Sequence, residues 1–339
     1  MGAPLAAIFG CSGTTLSDFE RGFFRETAPV GFILFARNVE DPDQVRALVS
    51  DLRAASGRDD ALVLIDQEGG RVQRLGPPYW GAFPPASTFW ALPDRAAKEA
   101  AFLNARLIAH DLAILGIDVN CLPVLDVPVP GSDAIIGDRA VGCTVAEAES
   151  LGRAVCGGFL AGGVLPVIKH IPGHGRATAD SHLALPVVNA EPWELDTVDF
   201  VPFRALNRMP LAMTAHVVYS AIDADLPATL SKRVIEEAIR ERIGFDGLLI
   251  TDDLSMKALS GDFAARAESA LAAGCDVVLH CNGEADEMTT VAAGTRQLDD
   301  EGTRRLGKAL ALKRSPHELD IAGARAQVNA LLGKEVYQA

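Results

Sequence analysis

The 339-residue chain has no C-x-x-C pair, no G-x-G-x-x-G after any apolar run, no cluster of lysines and arginines, and no Gly/Ser- or Pro-rich linker. Nor does any apolar stretch reach the ~18 residues that a membrane-spanning helix requires. Each absence removes a class. Without the glycine fingerprint a dinucleotide-binding fold has no support. There is no basic stripe, and 31 Lys+Arg stand against 45 Asp+Glu for a net charge of -14. Neither a nucleic acid nor an anionic membrane surface is therefore an expected partner. Without a linker, a single domain over residues 1–339 is expected.

The six cysteines (Cys11, Cys121, Cys143, Cys156, Cys275 and Cys281) are scattered and mostly embedded in apolar runs. They read as buried free thiols of a reducing cytosol, not as a disulfide framework. Ala7-Ile-Phe-Gly-Cys11 loosely resembles a lipidation site. No Lys or Arg precedes it and its apolar segment is short, so a first buried strand is the better reading.

What the chain does have is alternation. Hydrophobic residues make up 49% of it, enough for a sizeable core. Short apolar runs occur at Leu5–Phe9, Gly31–Phe35, Ala61–Asp66, Ile117–Cys121, Val164–His170, Leu211–His216, Gly247–Asp252 and Asp276–Cys281. Amphipathic or Ala-rich stretches lie between them at 42–55, 95–115, 146–161, 194–208, 231–242 and 262–273. Strands this apolar suit a parallel sheet covered by helices. Eight in alternation predict an α/β fold, a (β/α)8 TIM barrel, with 284–339 as closing C-terminal helices. In such a barrel chemistry sits at the C-terminal ends of the strands. Those ends carry Asp66, Asn120, Lys169 with His170, His216 and Asp252, and five strands are expected to deliver them to one mouth.

The fifth run leads into Lys169-His-Ile-Pro-Gly-His-Gly-Arg-Ala-Thr-Ala-Asp-Ser-His182. Gly and Pro exclude a helix interior here, so the titratable groups sit on a loop. Asp180 lies two residues from His182, a spacing that suits a carboxylate fixing the tautomer of an acid–base imidazole. His170 and His174 fit that chemistry equally well, and an exposed loop histidine is the plain alternative. Asp66-Gln-Glu-Gly-Gly-Arg-Val-Gln-Arg74 offers a carboxylate for hydroxyls and two forked donors, or else a solvated turn. Within it Glu68 is either a catalytic acid or exposed. Arg139 either reaches the mouth or pairs with Asp133 or Asp138, and spacing alone favours the surface pair. In Thr251-Asp-Asp-Leu-Ser-Met256 strand parity places one Asp in the mouth and the other in a structural role, without saying which. Asp252 there reads as a nucleophile, as an orienter of a substrate's acetamido group, or as a helix cap.

Three other readings compete. His170, His174, His216 and Asp252 could ligate a metal for assisted hydrolysis. Lys169 could form a Schiff base. The chain could also bind an amino sugar without turning it over.

Taken together the motifs resemble the bacterial β-N-acetylglucosaminidases of glycoside hydrolase family 3. The blocks that carry the likeness are Leu34–Asn38, Asp66–Arg74, Pro123–Val127, Lys169–Gly175, Asp180–His182, Thr214–Tyr219, Gly244–Met256 and Ala273–Asn282. The short, single-barrel form is similar to the cytoplasmic enzymes of cell-wall recycling. The resemblance implies Asp252 as nucleophile, His182 as general acid/base and Asp180 as its partner. It implies that Asp66, Arg74, Arg139, Lys169 and His170 bind a terminal N-acetylglucosamine; Pro172 to Gly175 are then read as turning the chain, with His174 as a support of the loop. It also implies a retaining double displacement on N-acetylglucosaminyl-anhydro-muropeptides, by a cytoplasmic monomer with no cofactor and no metal. Two departures stand out. Asp138-Arg-Ala-Val-Gly142 lacks the aromatic common after the Arg, and Ile171 replaces a common Phe.

Overall fold

The computed structural model describes residues 2–337. All eight apolar runs become strands of a closed parallel barrel. They are β1 (Leu5–Gly10), β2 (Pro29–Leu34), β3 (Leu62–Ile65), β4 (Val119–Asn120), β5 (Leu165–Ile171), β6 (Leu211–Thr214), β7 (Leu248–Asp253) and β8 (Val277–His280). Each strand pairs with its sequence neighbours, and β8 closes onto β1 with Ala7 opposite Val278 and Phe9 opposite His280. The strands are buried on both faces, which explains their unbroken Val/Ile/Leu content. Cys11 follows a buried β1 and is itself buried, in keeping with the strand reading of that segment.

Helices cover the outside, and their starts are chemically marked. Asp41, Thr144, Asp262 and Asp299 each accept the backbone N–H three residues on. One covering helix, Asp18–Thr27, lies outside the stretches that periodicity marks. Its period is short but intact, with Phe19, Phe23 and Phe24 at helical spacing, and Ser17 and Glu20 form a full capping box at its start. Residues 284–337 contain three helices, at Ala285–Ala293, Asp300–Leu312 and Ile321–Leu332. The last packs on Asp94–Ala113. A small three-stranded sheet (Val187–Val188, Val218–Tyr219, Asp223–Pro227), not anticipated, sits beside the mouth. Among the described residues no helix is long and apolar enough to cross a membrane.

Five of the six cysteines are buried free thiols. Cys143 departs from the expectation: it is exposed at a helix start, with its Sγ 3.0 Å from Glu147.

Besides a shift near the start of β1 against β2, between Leu5 and Ile8, two of the barrel strands break register near their ends. Against β6, the pairs Lys169–Met213 and Ile171–Thr214 leave one extra residue on β5. Against β8, the pairs Ile250–Val277 and Asp253–Leu279 leave one extra on β7. Such bulges re-aim side chains, and both fall at the C-terminal ends of their strands.

Candidate active site

The strand ends surround an open cavity of about 390 Å³. Asp66, Lys169, His170 and Asp252 line it, as do Glu68, Arg74, Arg139, Ser181, His182 and Asp253. Two of the five expected strand-end groups do not reach it. Asn120 is spent structurally, accepting from Gln67 N–H at 3.0 Å and donating to Gln67 C=O at 2.9 Å. His216 lies below the mouth, with Nδ1 2.7 Å from Thr229 Oγ1 and Nε2 donating to the Asp253 carbonyl at 3.0 Å. Both its nitrogens are occupied, so it cannot join His170, His174 and Asp252 as a metal ligand without giving up these bonds.

One wall is a charge cluster. Lys169 Nζ lies 2.9 Å from Asp66 and 2.8 Å from Glu68. Arg139 grips Glu68 through two 2.8 Å bonds. This corrects two readings of the sequence: Arg139 does not form a surface pair, and Glu68 is buried. Arg71 is the residue that meets Asp138, at 3.1 Å, and its guanidinium also caps the Ala134 and Ile135 carbonyls that lead into Arg139. Burial pushes the Glu68 carboxyl up, but Lys169 and Arg139 outweigh it and hold it at about 2. It is therefore ionised and has no proton to give. Burial pulls the Lys169 ammonium down, but Asp66 and Glu68 hold it above the ordinary lysine range. A protonated, doubly paired amine is not a Schiff-base nucleophile. Arg74 lies 3.5 Å from Asp66 and stacks over Phe35, 5.3 Å from the ring centre.

The floor rests on a residue to which the sequence assigns no role. Asp126 is fully buried and accepts from His170 Nδ1 at 2.7 Å, from His170 N–H at 3.1 Å and from His174 N–H at 2.6 Å. A carboxylate only accepts, so His170 carries its proton on Nδ1 and turns Nε2 toward the cavity. The one signal is a lone charge in an otherwise apolar stretch, Cys121-Leu-Pro-Val-Leu-Asp-Val127.

The two aspartates of β7 divide in a way that parity does not reveal. The bulge brings both to the cavity. Asp253 spends its oxygens on Ser255 N–H at 3.0 Å, the Ser255 hydroxyl and Cys281 N–H at 3.2 Å. Asp252 accepts the Asp253 N–H at 2.8 Å and is otherwise open to the cavity. Burial pushes its carboxyl up, but His170, His216, the Asp253 N–H and Lys169 together hold it below the usual carboxylate range. The result is an ionised, accessible oxygen, the state a nucleophile needs.

Across the cavity, His182 Nδ1 lies 2.7 Å from Asp180 Oδ1, and its backbone N–H binds the same oxygen at 2.8 Å. The imidazole is 57% exposed, so Nε2 can exchange protons with anything in the cavity. The loop is rooted by close backbone contact. A Cβ on Gly175 would stand 2.0 Å from the Val127 carbonyl oxygen. Gly175→Ala should therefore displace the root, costing about 1–3 kcal/mol and lowering kcat as well. An unchanged thermal midpoint and rate would show that the backbone yields freely.

At the 140–141 departure the chain itself supplies no aromatic, and Trp90 from another segment covers it. Ala140 and Val141 are buried, and Trp90 Nε1 donates to the Ala140 carbonyl at 3.1 Å. Ile171 is fully buried at the end of β5.

Residues 24–304 match the glycosyl hydrolase family 3 N-terminal domain. A β-hexosaminidase of Methylococcus capsulatus is 43% identical over 304 residues, which cover 88% of this chain and 90% of that one. The crystal structure of NagZ from Neisseria gonorrhoeae with N-trifluoroacetyl-D-glucosamine superposes with a TM-score of 0.86 at 30% identity, covering 98% of each chain. A family 3 β-N-acetylglucosaminidase from Paenibacillus sp. superposes at 0.82 and 32% identity; 96% of this chain spans 66% of that longer protein. The chain thus belongs to glycosyl hydrolase family 3 and is a glycoside hydrolase of its β-hexosaminidase group.

Proposed function

We propose that this hydrolase is a retaining exo-β-N-acetylglucosaminidase that removes terminal N-acetylglucosamine from anhydro-muropeptides in peptidoglycan recycling. It would act as a cytoplasmic monomer without a cofactor. One observation carries the chemistry: an ionised, otherwise unengaged carboxylate, Asp252, and an exposed His182–Asp180 pair 2.7 Å apart line one cavity at the barrel mouth. The substrate class rests on the relatives' activity and on the sequence resemblance.

In the first step Asp252 attacks the anomeric carbon while the bond to the aglycone oxygen breaks. His182, protonated on Nε2, gives that oxygen its proton. In the second step His182 takes a proton from water, which attacks the anomeric carbon and releases Asp252. Asp180 stabilises the imidazolium that enters the first step and is re-formed in the second, as a carboxylate does for a catalytic histidine elsewhere. Asp66 accepts from sugar hydroxyls, and Arg74, Arg139, Lys169 and His170 donate to or orient the sugar's oxygens. Lys169 and Arg139 do so while held by Glu68, which limits their motion. The Gly/Pro-punctuated loop opens for product release and closes for chemistry.

The first test is a set of aryl β-glycosides. The N-acetylglucosaminide should be hydrolysed at least about a hundredfold faster than the glucoside, because a site that pairs an acetamido group leaves its own polar atoms unmet without one. Comparable rates would sink the N-acetyl specificity, and the galactosaminide measures tolerance at the neighbouring hydroxyl. His182→Ala should lower kcat/KM by about a hundredfold or more for poor leaving groups and far less for nitrophenols, which need little protonation. An equal loss across leaving groups would contradict the acid role. In cells lacking the protein, intact disaccharide muropeptides should accumulate in the cytoplasm; their absence would remove the recycling assignment.

A further inference from the structure

Between Thr178 and Leu185 only one residue is buried. It is Ser181, 3% exposed, and it stands between the two members of the Asp180–His182 pair. Its hydroxyl oxygen lies 3.1 Å from His174 Nε2. The other hydrogen bonds of residues 178–185 stay within the segment: Leu183 and Ala184 N–H to the Asp180 carbonyl, and His182 to the Asp180 carboxylate. Among the described residues, His174–Ser181 is thus the single hydrogen bond that ties this stretch to the barrel.

His174 is built to serve as the fixed half. Its backbone N–H is held by Asp126, and its ring packs edge-on to His170 with centroids 5.8 Å apart. The ring's Nδ1 is buried without a partner, so Ser181 is its one polar contact. Burial pushes the imidazole down to about 4, so the ring is uncharged at neutral pH. A hydrogen bond between two uncharged groups contributes modestly to holding two parts together. It can therefore seat the loop and still release it within each turnover.

We propose that His174 and Ser181 form a clasp that seats the 178–185 loop so that His182 meets the leaving-group oxygen, which makes both of them positioning residues for proton transfer. The inference rests on the assignment of His182 as acid–base. The same Asp126 carboxylate orients His170 at the sugar and fixes the backbone of His174, so the clasp is referenced to the sugar site.

The test compares Ser181→Ala, Ser181→Thr, His174→Phe and His182→Ala on aryl β-N-acetylglucosaminides spanning a wide range of phenol acidity. Ser181→Ala should lose about tenfold in kcat/KM on poor leaving groups and little on dinitrophenolates, the signature of impaired protonation. His174→Phe, which keeps a ring and removes its nitrogens, should show the same selectivity. Ser181→Thr keeps the hydroxyl and should restore most of the loss. If His182→Ala shows the steep leaving-group dependence while Ser181→Ala loses nothing or loses uniformly, the clasp is wrong and the acid assignment stands. If His182→Ala shows no such dependence, both fall together.

Discussion

Asp252→Ala is expected to lower kcat on an aryl β-N-acetylglucosaminide by roughly four orders of magnitude. The variant loses the one carboxylate oxygen of the mouth that is both ionised and open to the cavity. Asp66 and Glu68 are tied to Lys169 and Arg139, and Asp253 is consumed by the turn that follows β7. No neighbouring carboxylate can take over. Sugar binding should persist, because the residues assigned to it come from β5 and the loops after β3 and β4. A competitive N-acetylglucosamine analogue should bind the variant within a few-fold of its affinity for the parent. Azide added with an activated aryl glycoside should enter the vacated space and give an α-glycosyl azide, reporting which face the carboxylate attacked. An alanine variant that keeps a tenth of its rate would place the nucleophile elsewhere.

Glu68→Gln is expected to be the most destabilising single change in the mouth, at about 3–5 kcal/mol. It leaves Lys169 and Arg139 buried with Asp66 as their main counter-charge. The sign with pH follows from the direction of the shift. Glu68 is held at about 2, below its ordinary 4.5, so its stabilisation is fully present above the ordinary value. It is lost as pH falls through that window toward 2. The window corresponds to about 3 kcal/mol. Urea midpoints measured between neutral pH and pH 3 should therefore fall for the parent, and should fall less for the glutamine variant. Parallel slopes would mean that other carboxylates dominate acid sensitivity.

The barrel is legible because eight apolar runs obey one rule, burial on both faces, and each strand meets only its sequence neighbours. The Asp18–Thr27 helix carries its own signals, phenylalanines at helical spacing and a Ser17–Glu20 capping box, but they span only ten residues. Most of the residues singled out at the mouth do come together, since strand ends converge in any closed barrel. What the sequence hides is which groups neutralise which. Arg139 and Glu68 lie 71 positions apart, and their pairing depends on how two loops fold over the same rim. Asn120 and His216 occupy strand ends like the others, but their side chains are spent on backbone and hydroxyl partners. Asp126 goes unmarked because it follows β4 in an apolar stretch, where a single acid carries no pattern. Ser181 goes unmarked because the residues on either side of it bear the recognisable chemistry.

A strand in regular register offers a barrel mouth every second side chain. The extra residues on β5 and β7 double that density, so Lys169 and His170, and likewise Asp252 and Asp253, face the cavity in succession. Four polar groups thus come from two strands with only β6 between them. The arrangement is compact but unforgiving in length. Removing one residue from either bulge would restore regular pairing and turn half of each pair into the helix layer, carrying a charge into apolar packing. The hairpin of the small sheet, by contrast, can gain or lose a residue at its turn around Ala221 without changing the phase of any barrel strand. Length change is therefore tolerated unevenly along this chain, least of all at the tips of β5 and β7.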